Sequence, residues 1–304
     1  MTHHTFTRPH FSFVCALALL AGTAAQAHIV LPAGGANVGS TYDAAFRVGH
    51  ACKDAKTTTA VVVDLPKGFQ FKEAVPRSGW TLTTSANNST VRWTADSAAS
   101  ALPASEKTEF IVRGVLPSTA QTLYFPVQQM CDVGQAQWTQ IPSKADASAK
   151  LEFPAARLDV LADNVAPVDA RDMWVRAAVP GQSGTGAFVT LQAPQGAKLV
   201  AVSSPAAGVV EIHEMKMDGE VMRMRAIPSL DLPARQSVSL SPGGYHLMMM
   251  DLKQPITAGQ QLKFTLTLED AAGKRRTRDV SAEVRTGGNA AQGSHGGAHE
   301  GHSH

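Results

Sequence analysis

The chain has 304 residues, which fits two domains of ordinary size. With 44% hydrophobic and 17% charged residues it holds enough apolar material for packed cores, and wholesale disorder is excluded. Lys+Arg is 27 against 25 Asp+Glu, a formal charge of +2, and no Lys/Arg block covers a face, so a nucleic-acid partner is not expected.

Residues 1–27 set the expected compartment. An apolar run, Ser12 to Ala24, is too short for a stable membrane anchor. Arg8 is the only charged residue before it, and Ala25-Gln26-Ala27 follows as a small-residue cleavage site, which together read as a secretory signal peptide. Cleavage at Ala27-His28 makes the protein periplasmic or otherwise exported, with no transmembrane segment expected. It also removes Cys15 and leaves Cys52 and Cys131. An oxidising compartment favours a disulfide between them, and a pair of copper-binding thiolates is the alternative.

Strand signals then dominate. Thr57–Asp64, Trp80–Thr84, Thr90–Thr94, Phe110–Val115, Leu123–Gln128 and Trp138–Ile141 are rich in β-formers and separated by Gly, Pro and Asn turns. Leu158–Arg171, with its Asp, Asn and Pro residues, reads as a domain boundary. The pattern restarts at Met173–Ala178 and runs through Gly186–Leu191, Lys198–Ser203, Gly208–Met217, Glu220–Ala226, Ser237–Leu240, His246–Leu252, Gln261–Glu269 and Arg278–Val284. The dense basic run Lys274-Arg275-Arg276 follows Asp270-Ala271-Ala272-Gly273 and reads as a solvated hairpin turn. No long amphipathic helix is present. The expected class is therefore all-β: two β-sandwich domains in tandem, at 28–158 and 170–285. Residues 286–304 are Gly, Ala, Ser and His with no core-forming side chains, and are expected to be a disordered His-rich tail.

Methionine is concentrated. Of 10 Met, Met215, Met217, Met222, Met224, Met248, Met249 and Met250 fall in one short region that also holds His213 and His246. Side chains alternate along a strand, so His246 shares a face with Met248, His213 with Met215, and Met222 with Met224. Neighbouring strands would let imidazoles and thioethers converge, a soft donor set that suits Cu(I) better than zinc or hard cations. Any single Met here is as readily a core filler. The ensemble is not, because a β-rich core would use Val, Ile and Leu.

The spacing His213, ten residues, Met224, twenty-one residues, His246-Leu247-Met248 resembles the H-x10-M-x21-H-x-M pattern of the PCuAC copper chaperones. Met173-Trp174-Val175-Arg176, Met222-Arg223-Met224-Arg225 and Pro242-Gly243-Gly244-Tyr245-His246 agree with it over about 170–285. The resemblance implies a cupredoxin-like domain and one Cu(I) held by His213, Met224, His246 and Met248. It also implies delivery to a copper-accepting protein, such as the copper subunit of cytochrome oxidase or an assembly factor. Phe188 departs from a frequent tyrosine and is expected to matter only for packing.

Processing would also leave His28 with a free α-amine beside its imidazole Nδ1, a compact nitrogen chelate that favours Cu(II). Residues 28–158 resemble the YcnI-like copper-binding domains. The matching features are His28-Ile29-Val30, Lys67-Gly68-Phe69, Ser78-Gly79-Trp80, Val91-Arg92-Trp93, Glu109-Phe110 and Trp138. That resemblance implies a Cu(II) site of His28 and Glu109 with Trp138 nearby. His50 is either a second brace imidazole or a histidine that merely sits near Cys52. In the tail, His295, His299, His302 and His304 are flexible imidazoles suited to gathering metal for the tethered domains.

These readings describe a copper chaperone rather than an enzyme. The alternatives are copper storage or resistance by buffering, and a copper monooxygenase with an N-terminal histidine, for which only His50 could supply the second brace. No P-loop, dinucleotide fingerprint or nucleophile–His–acid arrangement is present.

Overall fold

A computed structural model describes residues 28–143, 146, 150–219 and 221–287. The expected signal peptide and the tail histidines lie outside the described residues. The rest is all-β, and no described residue is helical. No described helix is long and apolar enough to cross a membrane.

The first half comprises β1 (Ala36–Asn37), β2 (Thr41–Val48), β3 (Thr57–Asp64), β4 (Gln70–Ala74), β5 (Trp80–Thr84), β6 (Thr90–Ala95) and β7 (Leu102–Pro103). It continues with β8 (Thr108–Val115), β9 (Gln121–Phe125), β10 (Val127–Cys131), β11 (Gln135–Trp138) and β12 (Ala156–Leu161). One sheet runs β11-β10-β3-β6-β5, with β7 on β3, and two smaller sheets run β2-β8-β4 and β1-β12-β9. Their inner faces share one core that includes Phe46, Trp93, Phe110, Phe125 and Trp138, all essentially buried. Edge-to-face ring pairs, such as Phe46 with Phe125 at 5.5 Å and Trp93 with Phe110 at 5.4 Å, lock the sheets together. Each such pair adds about 0.5–1.5 kcal/mol beyond area burial.

The expected single strand at Leu123–Gln128 is two strands. Pro126 has no N–H to continue a ladder, so the chain changes sheets there: β9 pairs with β12 and β10 with β3. The expected boundary at Leu158–Arg171 contains most of β12, whose alternating Ala156, Leu158 and Val160 are buried. Cys52 and Cys131 form the expected disulfide, with Cα atoms 6.0 Å apart.

The second half comprises β13 (Asp169–Arg176), β14 (Gly184–Gln192), β15 (Ala197–Ser203), β16 (Ala207–Asp218) and β17 (Val221–Ala226). After it come β18 (Leu230–Leu232), β19 (Ser237–Leu240), β20 (His246–Leu252), β21 (Gln261–Glu269) and β22 (Arg275–Arg285). They form one continuous ladder in the order β17-β16-β20-β14-β13-β22-β21-β15-β18, with β19 on β14. This ladder encloses a second core around Leu191, Leu199, Leu247, Met249, Phe264 and Leu266.

The basic run is only partly a turn. Gly273 takes the positive φ of 78° that the β21–β22 hairpin requires, but Arg275 and Arg276 already belong to β22. Lys274 Nζ donates to Asp163 Oδ2 at 2.6 Å, and Arg276 Nε donates to the Asp163 carbonyl at 2.7 Å. These bonds tie the second domain to the segment that leaves β12. The Lys274 ammonium holds the Asp163 carboxyl below the usual carboxylate range. A lowered folded-state value means the stabilisation is present above the ordinary carboxylate pKa of about 4 and is lost as pH falls through the lowered one. The difference in melting temperature between wild type and Asp163→Asn should accordingly be present at neutral pH and vanish in strong acid.

Candidate metal centre

Strand register assembles the His/Met cluster. β16 pairs antiparallel with β20 so that His213 faces His246 and Glu211 faces Met248. β16 also pairs with β17 so that Met215 faces Met224 and Met217 faces Met222. Directly paired residues project to the same side of a sheet. Glu211, His213, Met215, Met217, Met222, Met224, His246 and Met248 therefore share one face, while Ile212, Leu247 and Met249 point into the core on the other. On β14 the positions opposite Met248 and Met250 are Gly186 and Gly184, and the Phe188 ring lies over Gly186, 3.0 Å from where a Cβ there would stand. A Cβ on Gly184 would lie 3.0 Å from the Met248 methyl carbon.

The two imidazoles are buried, with ring centroids 5.6 Å apart. His246 Nδ1 lies 3.1 Å from the Gly244 carbonyl, which can only accept, so the proton belongs on Nδ1. The bare Nε2 then faces Met224 Sδ at 3.2 Å. For His213, Nε2 is engaged by the Glu211 carboxylate at 2.8 Å, while Nδ1 is buried without a partner. A protonated Nε2 donating to Glu211 leaves Nδ1 as an unshared lone pair. Each histidine thus offers one donor nitrogen and has the other oriented by an oxygen, the usual arrangement of imidazoles that bind metal. Met224 is half exposed, so the cluster opens at the surface. Phe188 stacks on Trp174 with centroids 4.4 Å apart.

Glu211 was not apparent as a site residue from composition. Its signal was parity: two residues before His213, it must share that face if the segment is a strand. No group of three or more His, Cys, Asp or Glu residues suited to a metal exists among the described residues, as expected for donors that are half thioether.

In the first domain His28 and His50 both approach Trp138, with centroid distances of 5.7 and 6.4 Å. His50 Nδ1 is hydrogen-bonded to the Ala51 carbonyl, and its Nε2 is buried without a partner. Glu109 lies one strand across from the N-terminal segment. The N-terminal segment bridges β2 at Val30–Arg47, and β2 pairs with β8 at Arg47–Glu109, so β2 separates Glu109 from the N-terminal segment. The Glu109 carboxylate accepts from Arg235 of the second domain at 2.8 Å.

Gln129, overlooked in the sequence, organises this region. Its buried Nε2 donates to the His50 carbonyl at 2.7 Å and to Thr58 Oγ1 at 2.8 Å, and its Oε1 accepts from Trp138 Nε1 at 3.1 Å. Gln129→Leu strands those partners. The expected cost is about 2–3 kcal/mol, near the upper end for buried unsatisfied groups, read as a fall in the urea midpoint.

Fold and site together define a two-domain all-β protein with a histidine–thioether cluster at the exposed end of the second domain's sheet. Residues 28–160 match the family model described as a domain of unknown function, DUF1775. Residues 168–281 match the model described as putative lipoprotein LpqE-like. Each half of the chain thus matches a family model of its own. A putative lipoprotein of Leifsonia xyli subsp. xyli is 32% identical over 106 residues, 34% of this chain, and the alignment spans 64% of that relative's length. An uncharacterized Nocardia farcinica protein with an immunoglobulin-like fold is 29% identical over 44% of this chain and 97% of its own, with a TM-score of 0.39. The copper-bound PCuAC domain from PmoF2 is 21% identical over 40% of this chain and 96% of its own, with a TM-score of 0.33.

Proposed function

We propose that the protein is an exported copper chaperone whose second domain carries Cu(I) on His213, Met224, His246 and Met248. The observation that carries this reading is the donor geometry: two buried imidazoles, each with a free nitrogen, on the same sheet face as Met224 and Met248. Thioethers and neutral imidazoles are soft to intermediate donors, which select Cu(I) over hard cations. The half-exposed Met224 supports transfer over storage, since an incoming ligand can displace it without opening the core.

His28 would capture Cu(II) through its α-amine and imidazole once the leader is removed, with Trp138 against its ring. Glu109 joins that site only by exchanging Arg235 for the metal. The tail histidines would raise local copper concentration, and the acceptor would be a copper-requiring oxidase subunit or its assembly factor. No catalytic step is assigned to the chain; it binds and hands over its cargo.

The test is copper stoichiometry on the exported, processed full chain, by competition with a Cu(I) chelator under reduction and by EPR under oxidation. The expected result is one tight Cu(I) and, apart from Cu(II) on the tail histidines, one EPR-visible Cu(II) whose signal disappears on His28→Ala. Absence of tight Cu(I) would overturn the chaperone reading.

A further inference from the structure

The four proposed ligands do not exhaust the methionines of their face. Met215 and Met224 form one cross-strand pair of the β16–β17 hairpin, and Met217 and Met222 form the next. Met217 is 54% exposed, Met222 53% and Met224 50%, while Met215 is half-buried. Directly opposed residues on paired strands have Cβ atoms about 5 Å apart, and successive pairs on one face lie about 7 Å apart. Flexible methionine side chains bridge both separations. The four thioethers therefore run as a continuous strip from the imidazoles to the hairpin tip, with Met224 common to the strip and the His/Met cluster.

The other face of the same hairpin is ordinary surface. Glu214, Lys216, Asp218, Arg223 and Arg225 lie there, with Arg225 on Glu214 and Arg223 on Asp218 at 2.9 Å. β17 is exposed at every residue and ends the ladder. An exposed edge strand is normally blunted with charge, and this one is, on one side only. Single exposed methionines need no account, but a contiguous strip that joins a soft-metal cluster does.

We infer that Met215, Met217 and Met222 form a second, all-thioether Cu(I) station on the hairpin. Copper would enter or leave there by exchange of one thioether at a time, with Met224 shared between the station and the imidazole site. The inference rests on the chaperone reading above. Lacking imidazole, the station binds more weakly than the His/Met cluster and fills after it. Ligand exchange leaves copper as Cu(I) throughout, so no electron donor or acceptor is involved.

The test uses the processed full chain labelled with ¹³C at the methionine methyl groups and titrated with Cu(I) under reduction, each resonance assigned by Met→Leu substitution. The first equivalent should shift Met224 and Met248, and the second should shift Met215, Met217 and Met222. The double variant Met217→Leu/Met222→Leu, close in volume and so expected to fold, should keep the first equivalent, lose the second and accept Cu(I) from a chelated donor several-fold more slowly. Met217 and Met222 unmoved through two equivalents, with Met224 and Met248 shifted by the first, would overturn the station and leave the chaperone reading standing. A first equivalent that leaves Met224 and Met248 unmoved would overturn the chaperone reading itself.

Discussion

Replacing His246 with alanine should weaken Cu(I) binding roughly 100- to 1000-fold, by analogy with the about 10–16 kcal/mol that a structural zinc site shares among four ligands. The expectation follows from pre-organisation. The Gly244 carbonyl fixes the ring through Nδ1, and Nε2 already points at a second proposed ligand, Met224, at 3.2 Å. Loss of the imidazole removes a donor and the wall that orients Met224. The neighbouring Met249 supplies the control. It adjoins Met248 in sequence but is fully buried on the opposite face, in the core. Met249→Leu should leave Cu(I) affinity unchanged, at a cost of less than about 1.5 kcal/mol in stability. Competition against a Cu(I) chelator reads both variants. Equal losses in the two would mean that the effect is on folding, and no loss in either would remove His246 from the site.

The contrast between Met248 and Met249 also shows what the sequence could reveal. Alternation assigns faces within a strand, so His246 and Met248 were legible as a pair. Convergence of His213, Met224 and His246 needed the register between strands, which alternation leaves open. The long His/Met spacing supplied it through family resemblance. Glu211 was legible only through parity, two residues before His213 on the same strand, and a glutamate there reads as ordinary surface until its contact with His213 Nε2 is seen. Long-range pairings hid other features. Glu109 lies 126 residues from Arg235 in sequence, and nothing local signals that ion pair. β2 escaped notice because Thr41–Val48 mixes Asp43 and Arg47 with its buried Tyr42, Ala44, Phe46 and Val48. β12 was masked by Asp159 and by the Asp163-Asn164 and Pro167 that follow it. The strands read correctly, such as Thr57–Asp64 and Gln261–Glu269, are those whose apolar runs or alternation are uninterrupted.

Removing the disulfide should destabilise the first domain far more than any single surface change. Cys52 and Cys131 are 79 residues apart in sequence, and closing a loop of that length lowers the entropy of the unfolded chain by about 4.5 kcal/mol at 25 °C. Little in the native state can replace the link. Cys52 follows a segment, His50-Ala51, that is held mainly by the Gln129 bond to the His50 carbonyl. Cys131 ends β10, where the pairing with β3 shifts register. The double variant Cys52→Ala/Cys131→Ala should lower the melting temperature of this domain by on the order of 15 °C, and dithiothreitol should do the same to the wild type. The second domain contains no cysteine, so its transition should stay where it is. Calorimetry on the full chain separates the two. The local consequence is as informative as the global one, because His50 and Trp138 are both tethered through Gln129, one strand position from the bridge's neighbour Met130. If the bridge positions them, His28 and His50 should lose their ring contacts with Trp138 well below the new melting temperature, seen as a change in Trp138 fluorescence. A variant that melts within a few degrees of wild type would show that residual contacts in the unfolded chain already close most of the loop.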